Sequence, residues 1–349
     1  MNVQPDPTVI EMLVELACRA PSVHNSQPWK WSYEDGSLDL RTDRSRLLNT
    51  IDPSGRQLVI SCGAALDHLK KAATAFKWSS EVSLLPTPGS PDHLAQIRFV
   101  HGAHPQSHDF DLLTAINRRR SDRRPLGSVP STRAVTSNIR EGVERFAVAV
   151  TVLSADAREA LAEASRLSAG VRKYDATYQA ELRWWAGHEL NAQGIPSRAL
   201  TERQDSTSVG VGRAFPQPRT REFAQPRTRE FAQPRTTQAS QAQSVVRDES
   251  SVVVLSTRSD SRLDWLRCGR ALSSLLLEST AAGLATCSLS HMTEQPGSRA
   301  LVESLAPAGG VPQVLVRIGV AQSPASTLPT PRLPVSSVLS SPQSRRNPR

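Results

Sequence analysis

Two distant stretches of the chain read alike, and this constrains the fold more than any other feature. Cys62-Gly63-Ala64-Ala65-Leu66-Asp67-His68-Leu69 lines up with Cys268-Gly269-Arg270-Ala271-Leu272-Ser273-Ser274-Leu275. Both share a CG-x-A-L-x-x-L core and run on into an alanine-rich helical segment followed by a strand-like one. Downstream, AQIRFV at 95–100 resembles VLVRIGV at 314–320. Chance similarity between two amphipathic helices is the plain alternative, but the matching downstream order favours duplication. A duplicated unit within one chain predicts an α+β fold of two related halves, fused as a pseudo-dimer about a pseudo-two-fold axis. The expected halves are residues 1–110 and 111–340, with a disordered basic tail at 341–349. At 349 residues, 38% of them apolar, the chain can bury a core in each half.

Local signals fill in the units. Asp6-Pro7 reads as an N-cap and first helical position, followed by Val9, Ile10, Leu13, Leu16 and Ala17 at helical spacing. WKWSY, then Glu34-Asp35-Gly36-Ser37, then LDLRT reads as a β-hairpin. Asp52-Pro53 is expected to open a second helix running to about Ala75, with strands near 80–85 and 95–100 and a helix near 110–119. A second repeat is of another kind: FPQPRTRE-FAQPRTRE-FAQPRTTQ at 215–238 is an octapeptide whose prolines exclude a regular helix or buried strand. It sits in a long segment, 170–250, placed where a lid could close over a site. Within that segment Tyr174, Tyr178, Trp184 and Trp185 read as packing residues rather than a substrate cage.

The net charge of +9 raises the question of nucleic acid, but its distribution answers against it. Residues 213–236 carry six Arg against two Glu, and the SRRNPR end adds three more Arg, so seven of the nine excess charges lie in two low-complexity pieces. No helix-turn-helix, finger or RNP-like motif appears, and neither nucleic acid nor a membrane is an expected partner. The N-terminal MNVQPDPTVIEMLVEL lacks a basic leader region. The four cysteines form no CxxC pair and read as buried free thiols of a cytoplasmic protein.

Four pieces could carry chemistry. RAPSVHNSQPW at 19–29 crowds small hydrogen-bonding side chains between two prolines: a surface loop or a ligand cradle. RRRSDRRPL at 118–126 gathers guanidiniums around Ser121, as a solvated basic turn or as a seat for a phosphomonoester. In ESTAAGLATCSLSHM, 278–292, Gly283 suits a helix end or the close approach of a flat ligand. PTPRLPVSSVL, 329–339, holds Arg332 between prolines. His101, His104 and His108 have ligand-like spacing but no carboxylate or cysteine partner nearby, and no metal site is expected. His24 and His291 are open between facing a ligand and a structural or solvated role. No nucleophile elbow or GxGxxG fingerprint appears.

In combination these pieces resemble the FMN-dependent nitroreductases, and more closely the single-chain, tandem-half Acg-type members of actinobacteria. CRAPSVHNSQPWKW, SCGAALDH, YDATYQAELRWWAG, RCGRALSSLLLESTAAGLATCSLSHMTE, PQVLVRIGVA and PTPRLP carry the resemblance, which spans nearly the whole chain except the octapeptide repeat and the tail. The resemblance implies a flavin at the junction of the halves. Arg119, Ser121 and Arg123 would hold its phosphate with Arg332 assisting. Pro21, Ser22, Asn25 and Gln27 would meet the isoalloxazine ring, and the backbone at Ser288, Leu289 and Ser290 would pass near its N5. The first half has no Arg-Arg-Ser segment and the second no counterpart of PSVHNSQPW, so one FMN per chain is expected. NAD(P)H would be the donor and a small nitroaromatic or quinone-like acceptor the oxidant, with no separate catalytic residue. The fused chain would stand as a monomer or a loose homodimer. A permanently closed lid would instead make a catalytically silent flavin store; a degenerate scaffold for partner binding is the third class.

Overall fold

The first helix follows from its cap. Asp6 accepts from Thr8 N at 2.8 Å with Pro7 at the first helical position, and α1 (Pro7–Ala17) buries Ile10, Leu13, Val14 and Ala17. The hairpin forms as its pattern predicts: β1 (Trp29–Glu34) and β2 (Ser37–Thr42) pair antiparallel from Trp29↔Thr42 to Glu34↔Ser37. Asp35 and Gly36 both take positive φ, 50° and 73°, the twist a two-residue connection needs. Helix α2 (Arg56–Ala75) starts three residues later than Asp52-Pro53 suggests. Asp52 still serves that end, because its carboxylate accepts from Gln57 N and Leu58 N at 3.0 and 2.9 Å. β3 (Trp78–Leu84), β4 (His93–His101) and α3 (Ser107–Arg118) complete the first unit.

The computed structural model describes residues 4–130, 133–186, 192–196, 199–200, 209–213, 215, 247–306, 310–322 and 330–340. The octapeptide repeat beyond Phe215 and the tail at 341–349 lie outside the described residues. The later elements are β5 (Leu126–Gly127), α4 (Arg133–Glu144), β6 (Ala149–Val152), α5 (Ala157–Arg172), α6 (Ala176–Trp185), β7 (Ser251–Thr257), α7 (Arg262–Ala281), β8 (Ala285–Leu289), α8 (Pro296–Leu305), β9 (Val311–Ala321) and β10 (Leu339–Ser340).

Among the described residues the strands form two five-stranded sheets. The first runs β10-β1-β2-β4-β3; the second runs β5-β9-β7-β6, with β8 also on β9. Without β10 and β5 the orders are β1-β2-β4-β3 and β6-β7-β9-β8, and a long helix follows the second strand of each. The duplicated sequence is therefore a duplicated fold. The end of the chain returns to the first sheet, where β10 pairs parallel with β1 at Trp31↔Leu339. α3 also packs into the first core through Leu112, Ala115 and Ile116.

The repeated Cys-Gly marks where the halves touch. A Cβ on Gly63 would lie 2.3 Å from Leu266 O and 3.0 Å from Gly269 Cα; one on Gly269 would lie 2.0 Å from Ile60 O and 2.9 Å from Gly63 Cα. Equivalent positions thus meet reciprocally, as a two-fold requires. The exchange extends along both helices. Ile60 of α2 is buried in the second core and Leu266 of α7 in the first. Arg56 at the start of α2 donates to Thr293 O and Gln313 O, while Arg262 at the start of α7 donates to Pro91 O. Four free cysteines are buried, and among the described residues no helix is long and apolar enough to cross a membrane.

Candidate functional site

The loop after α1 is built under strain. His24, Asn25 and Gln27 all take left-handed backbone, with φ of 48°, 57° and 51°, which costs non-glycine residues energy and has to be held from outside. The hold comes from long range. Arg332 donates to Cys18 O at 2.9 Å, Arg19 O at 3.2 Å and Asn25 Oδ1 at 3.0 Å, satisfying carbonyls left open at the end of α1. Asn25 Nδ2 donates to Gly194 O and Pro331 O, and Gln27 Nε2 to Ala192 O. Gln27 Oε1 accepts from Leu333 N at 2.9 Å. Ser22 Oγ accepts from Gln27 N, and Ser61 Oγ of α2 accepts from Val23 N.

Two adjoining cavities open on this loop. The inner one is walled by Pro21, Ser22 and His24, by Gln57, Ile60 and Ser61 of α2, by Ser121 and Arg123, and by Cys287 to His291 at the end of β8. Ile195, Val209, Arg213 and Phe215 close its outer side. The second cavity shares Pro21, Ser22, His24, Ser121, Arg123 and Ile195 with the first and adds Asn25, Arg119, Arg120, Arg332 and Arg19. Among the described residues its walls therefore hold five guanidiniums and no carboxylate. Burial, then the charges of Arg332 and Arg120, push Arg119 down to about 9; burial holds Arg332 at about 10, with Arg120 and Arg19 acting the same way and Cys18 opposing. Among the described residues Arg119 Nε has no hydrogen-bond partner. An anion there would relieve both the repulsion and the orphaned donor.

The inner cavity carries its own unmet polar atoms. His24 Nδ1, Gln57 Nε2 and His291 Nδ1 are buried without partners among the described residues. Burial, and next the nearby Arg213 charge, keep both histidines well below their ordinary pKa, so both rings are neutral at pH 7. His291 Nε2 lies 2.9 Å from Ser165 Oγ, leaving Nδ1 as its open position. Open polar atoms on one wall and a guanidinium cluster on the other suit a ligand with a polar edge and an anionic group.

The structure brings Pro21, Ser22, Ser121, Arg123, Ser288, Leu289 and Ser290 to one inner cavity. It places Asn25, Arg119 and Arg332 on the second. Gln27 lines neither: its amide is spent on backbone, as is much of Asn25 and Arg332, and all three shape the loop from behind. Gly283, at φ 78°, ends α7 and does not line the cavity. His24 and His291, open in the sequence, both line it. Gln57, Ile60 and Ser61 were hidden by a helical spacing that reads as core. Arg317 was signalled by a lone cation inside the apolar run VLVRIGV; it is 1% exposed and pairs with Asp248 at 2.5 Å.

Helix α6 seats over the loop at 48–51. Tyr178, Leu182 and Trp185 pack on Leu48 and Ile51, and Glu181 Oε2 accepts from Thr50 N and Ile51 N at 3.0 and 2.8 Å. Tyr174 and Trp184, expected to pack, are exposed at 86% and 61%, because they fall on the outer face of the same segment. Arg213 donates to Tyr178 Oη and pairs with Glu294. Of the histidine trio, His101 meets the Trp78 ring edge-on and His108 pairs with Glu278.

No family model matches the chain. Curated relatives span nearly all of it. "Uncharacterized protein Rv3127" of Mycobacterium tuberculosis is 41% identical over 340 residues, 95% of this chain and 92% of that protein. "Putative NAD(P)H nitroreductase acg" of the same organism is 40% identical over 337 residues, 95% of each. Among solved structures, the FMN-dependent nitroreductase NfnB from Mycobacterium smegmatis in complex with NADPH covers 66% of this chain and 97% of its own at 17% identity and a TM-score of 0.39. A likeness of that size carries no further argument.

Proposed function

The chain belongs to the Acg-type nitroreductase family, and from that premise we propose that it binds one FMN in the paired cavities and passes electrons from NAD(P)H to a small electron-poor acceptor. The observation that carries this reading is a set of unmet polar atoms on two connected walls: Arg119 Nε on the guanidinium side, and His24 Nδ1, Gln57 Nε2 and His291 Nδ1 on the other. These atoms suit the two ends of FMN. Arg119, Ser121 and Arg123 would hold its phosphate by charge-assisted hydrogen bonds. Pro21, Ser22 and the end of β8 at Ser288 to Ser290 would flank the ring, and His24, Gln57 and His291 would meet its polar edge. FMN, when bound, supplies hydride transfer between the nicotinamide and a nitroaromatic or quinone-like acceptor. The protein's part is to fix the orientation of that group and to exclude water. Arg332, Asn25 and Gln27 do the first by holding the strained loop. Arg213 and Phe215 do the second from the outer wall, and no side chain need relay a proton.

A second reading is favoured by one specific observation. The outer wall is latched: Arg213 is buried against Glu294 and Tyr178, and Glu181 ties α6 to the loop beneath it. If the latch stays shut, the protein is a flavin store rather than a turnover enzyme. Absorption spectra of the purified chain test both. A yellow protein that bleaches with NAD(P)H and recolours with a nitro compound or quinone is the expected result. Bleaching by dithionite alone selects the store. A colourless chain that cannot be loaded with FMN refutes both and leaves the scaffold class.

A further inference from the structure

The pseudo-two-fold that relates the halves also relates the site to a second place. The site lies between the loop after α1, the body of α2 and the end of β8, with α7 alongside. Exchanging the halves gives the turn after α4, the body of α7, the end of β3 and α2. A cavity does lie there, lined by Arg145, Phe146 and Ala147 after α4, by Arg267 and Arg270 of α7, by Lys70 and Lys71 of α2, and by Leu84 at the end of β3. The same elements line both cavities, and one helix position coincides: Arg267 stands where Ser61 stands in the first site, by the alignment of the repeated CG motif.

Its chemistry has changed in one direction. Lys70, Lys71, Arg145, Arg267 and Arg270 face a cavity that also holds Asp67, Asp109 and Glu278. The acids are already committed. Asp67 accepts from Ser273 Oγ at 2.7 Å, Glu278 pairs with His108 at 3.0 Å, and Asp109 accepts from Gln106 N as part of the cap of α3. The cations are less well served. Lys71 is buried with Asp67 no closer than 4.0 Å, and among the described residues Arg270 Nε is buried without a partner. Arg145 and Arg270 both lean on the Phe146 ring, at 4.8 and 4.6 Å from its centre, so that ring is taken up by guanidinium and leaves little face for a flat ligand. Burial and the neighbouring Arg270 hold Lys70 below its ordinary value; burial, against some relief from Asp67, does the same to Arg270.

We propose that this symmetry-related cavity is a second binding site, for a compact polyanion of the phosphate-chain class rather than a flavin. The cluster of cations around an unmet guanidinium N–H is arranged for several anionic oxygens at once. It does not depend on the FMN reading, because it uses none of the residues of the first site.

Calorimetric titration of the full-length chain with inorganic tripolyphosphate, in about 0.15 M salt where loose surface binding is screened, tests it. One saturable component per chain is expected at this cavity, beside whatever the guanidiniums of the first site bind. Lys70→Gln with Arg270→Gln should weaken it about tenfold or more, a loss of the size expected for charge-assisted contacts. Arg123→Gln, on the first site, should leave it unchanged. Should the double variant fold poorly by thermal melt, Arg145→Gln, at an exposed position, replaces it and should weaken binding in the same direction. Running ATP beside tripolyphosphate separates the sources of the anion: equal affinities assign recognition to the phosphate chain alone, and tighter ATP binding assigns the ligand to nucleotides. Absence of saturable binding would overturn the site, as would binding that Arg123→Gln abolishes and the Lys70 and Arg270 changes spare.

Discussion

The strand pairs β1–β2 and β6–β7 occupy equivalent places in the two sheets, and they are joined in opposite ways. Asp35 and Gly36 turn the first pair with no more chain than geometry needs. The second is interrupted by everything from 153 to 250, including α5, α6 and the outer wall of the site. Pairing is nevertheless kept, from Ala149↔Ser256 to Val152↔Val253. A long excursion costs little once a sheet and a packed helix fix its two ends, because loop-closure entropy grows only slowly with length. Duplication supplied a symmetric frame, and one connection was free to grow into a wall over one of the two clefts.

The sharpest break of that symmetry is on the third-strand partners. Arg98 in β4 and Arg317 in β9 are matched by the AQIRFV and VLVRIGV segments, yet Arg98 is exposed and Arg317 is buried against Asp248 and Ser250. Arg317→Ala should cost about 3–5 kcal/mol by leaving a buried carboxylate short of its partner, while Arg98→Ala should stay within about 0.5 kcal/mol. Chemical denaturation of both variants measures the gap; equal costs would mean the halves have not diverged at this position.

At the axis the halves should instead behave alike. Gly63→Ala and Gly269→Ala each press a methyl on the opposing backbone, and each should destabilise by about 1–3 kcal/mol. A large effect of one with none from the other would break the reciprocity.

Acid should act on the elaborated side. His24 and His291 have folded pKa values well below the unfolded 6.5, as does His68 at the junction. The unfolded chain therefore takes protons first as pH falls. The stability these rings contribute is present above pH 6.5 and is lost below it, by up to about 1.4 kcal/mol per pH unit for each ring. Melting temperatures from pH 7 to 5 should fall, and His291→Gln should flatten that slope. An unchanged slope would show that the ring titrates freely.

Helix α6 should yield a smaller change. Glu181→Ala removes the acceptor for Thr50 N and Ile51 N and should raise amide exchange at those two positions by about tenfold, roughly 1 kcal/mol of local opening, with little effect on global unfolding. Smallest of all, Gly170→Ala on the open face of α5 should stabilise by about 0.5 kcal/mol, since nothing lies within 4 Å of the added carbon.

Much of the frame is legible in the chain. The capped first helix, the Asp-Gly hairpin and the two CG helices stand at the expected places, because each follows from neighbours a few residues apart. The start of α2 was misplaced since Asp52 caps from a distance: its carboxylate reaches Gln57 and Leu58 across an intervening turn. The aromatics of 174–185 show the limit of composition. Tyr178 and Trp185 are buried, Tyr174 and Trp184 exposed, and only the docking of α6 on Leu48 and Ile51 sorts them.

The sequence by itself determined that a unit occurs twice, since a shared local pattern is written along the chain. Tertiary structure alone decided what became of the two clefts: which guanidiniums are consumed by carbonyls more than three hundred residues away, as Arg332 is by Cys18, and which remain unpaired. Charge is encoded one residue at a time, but whether a charge is satisfied depends on partners that only packing brings near.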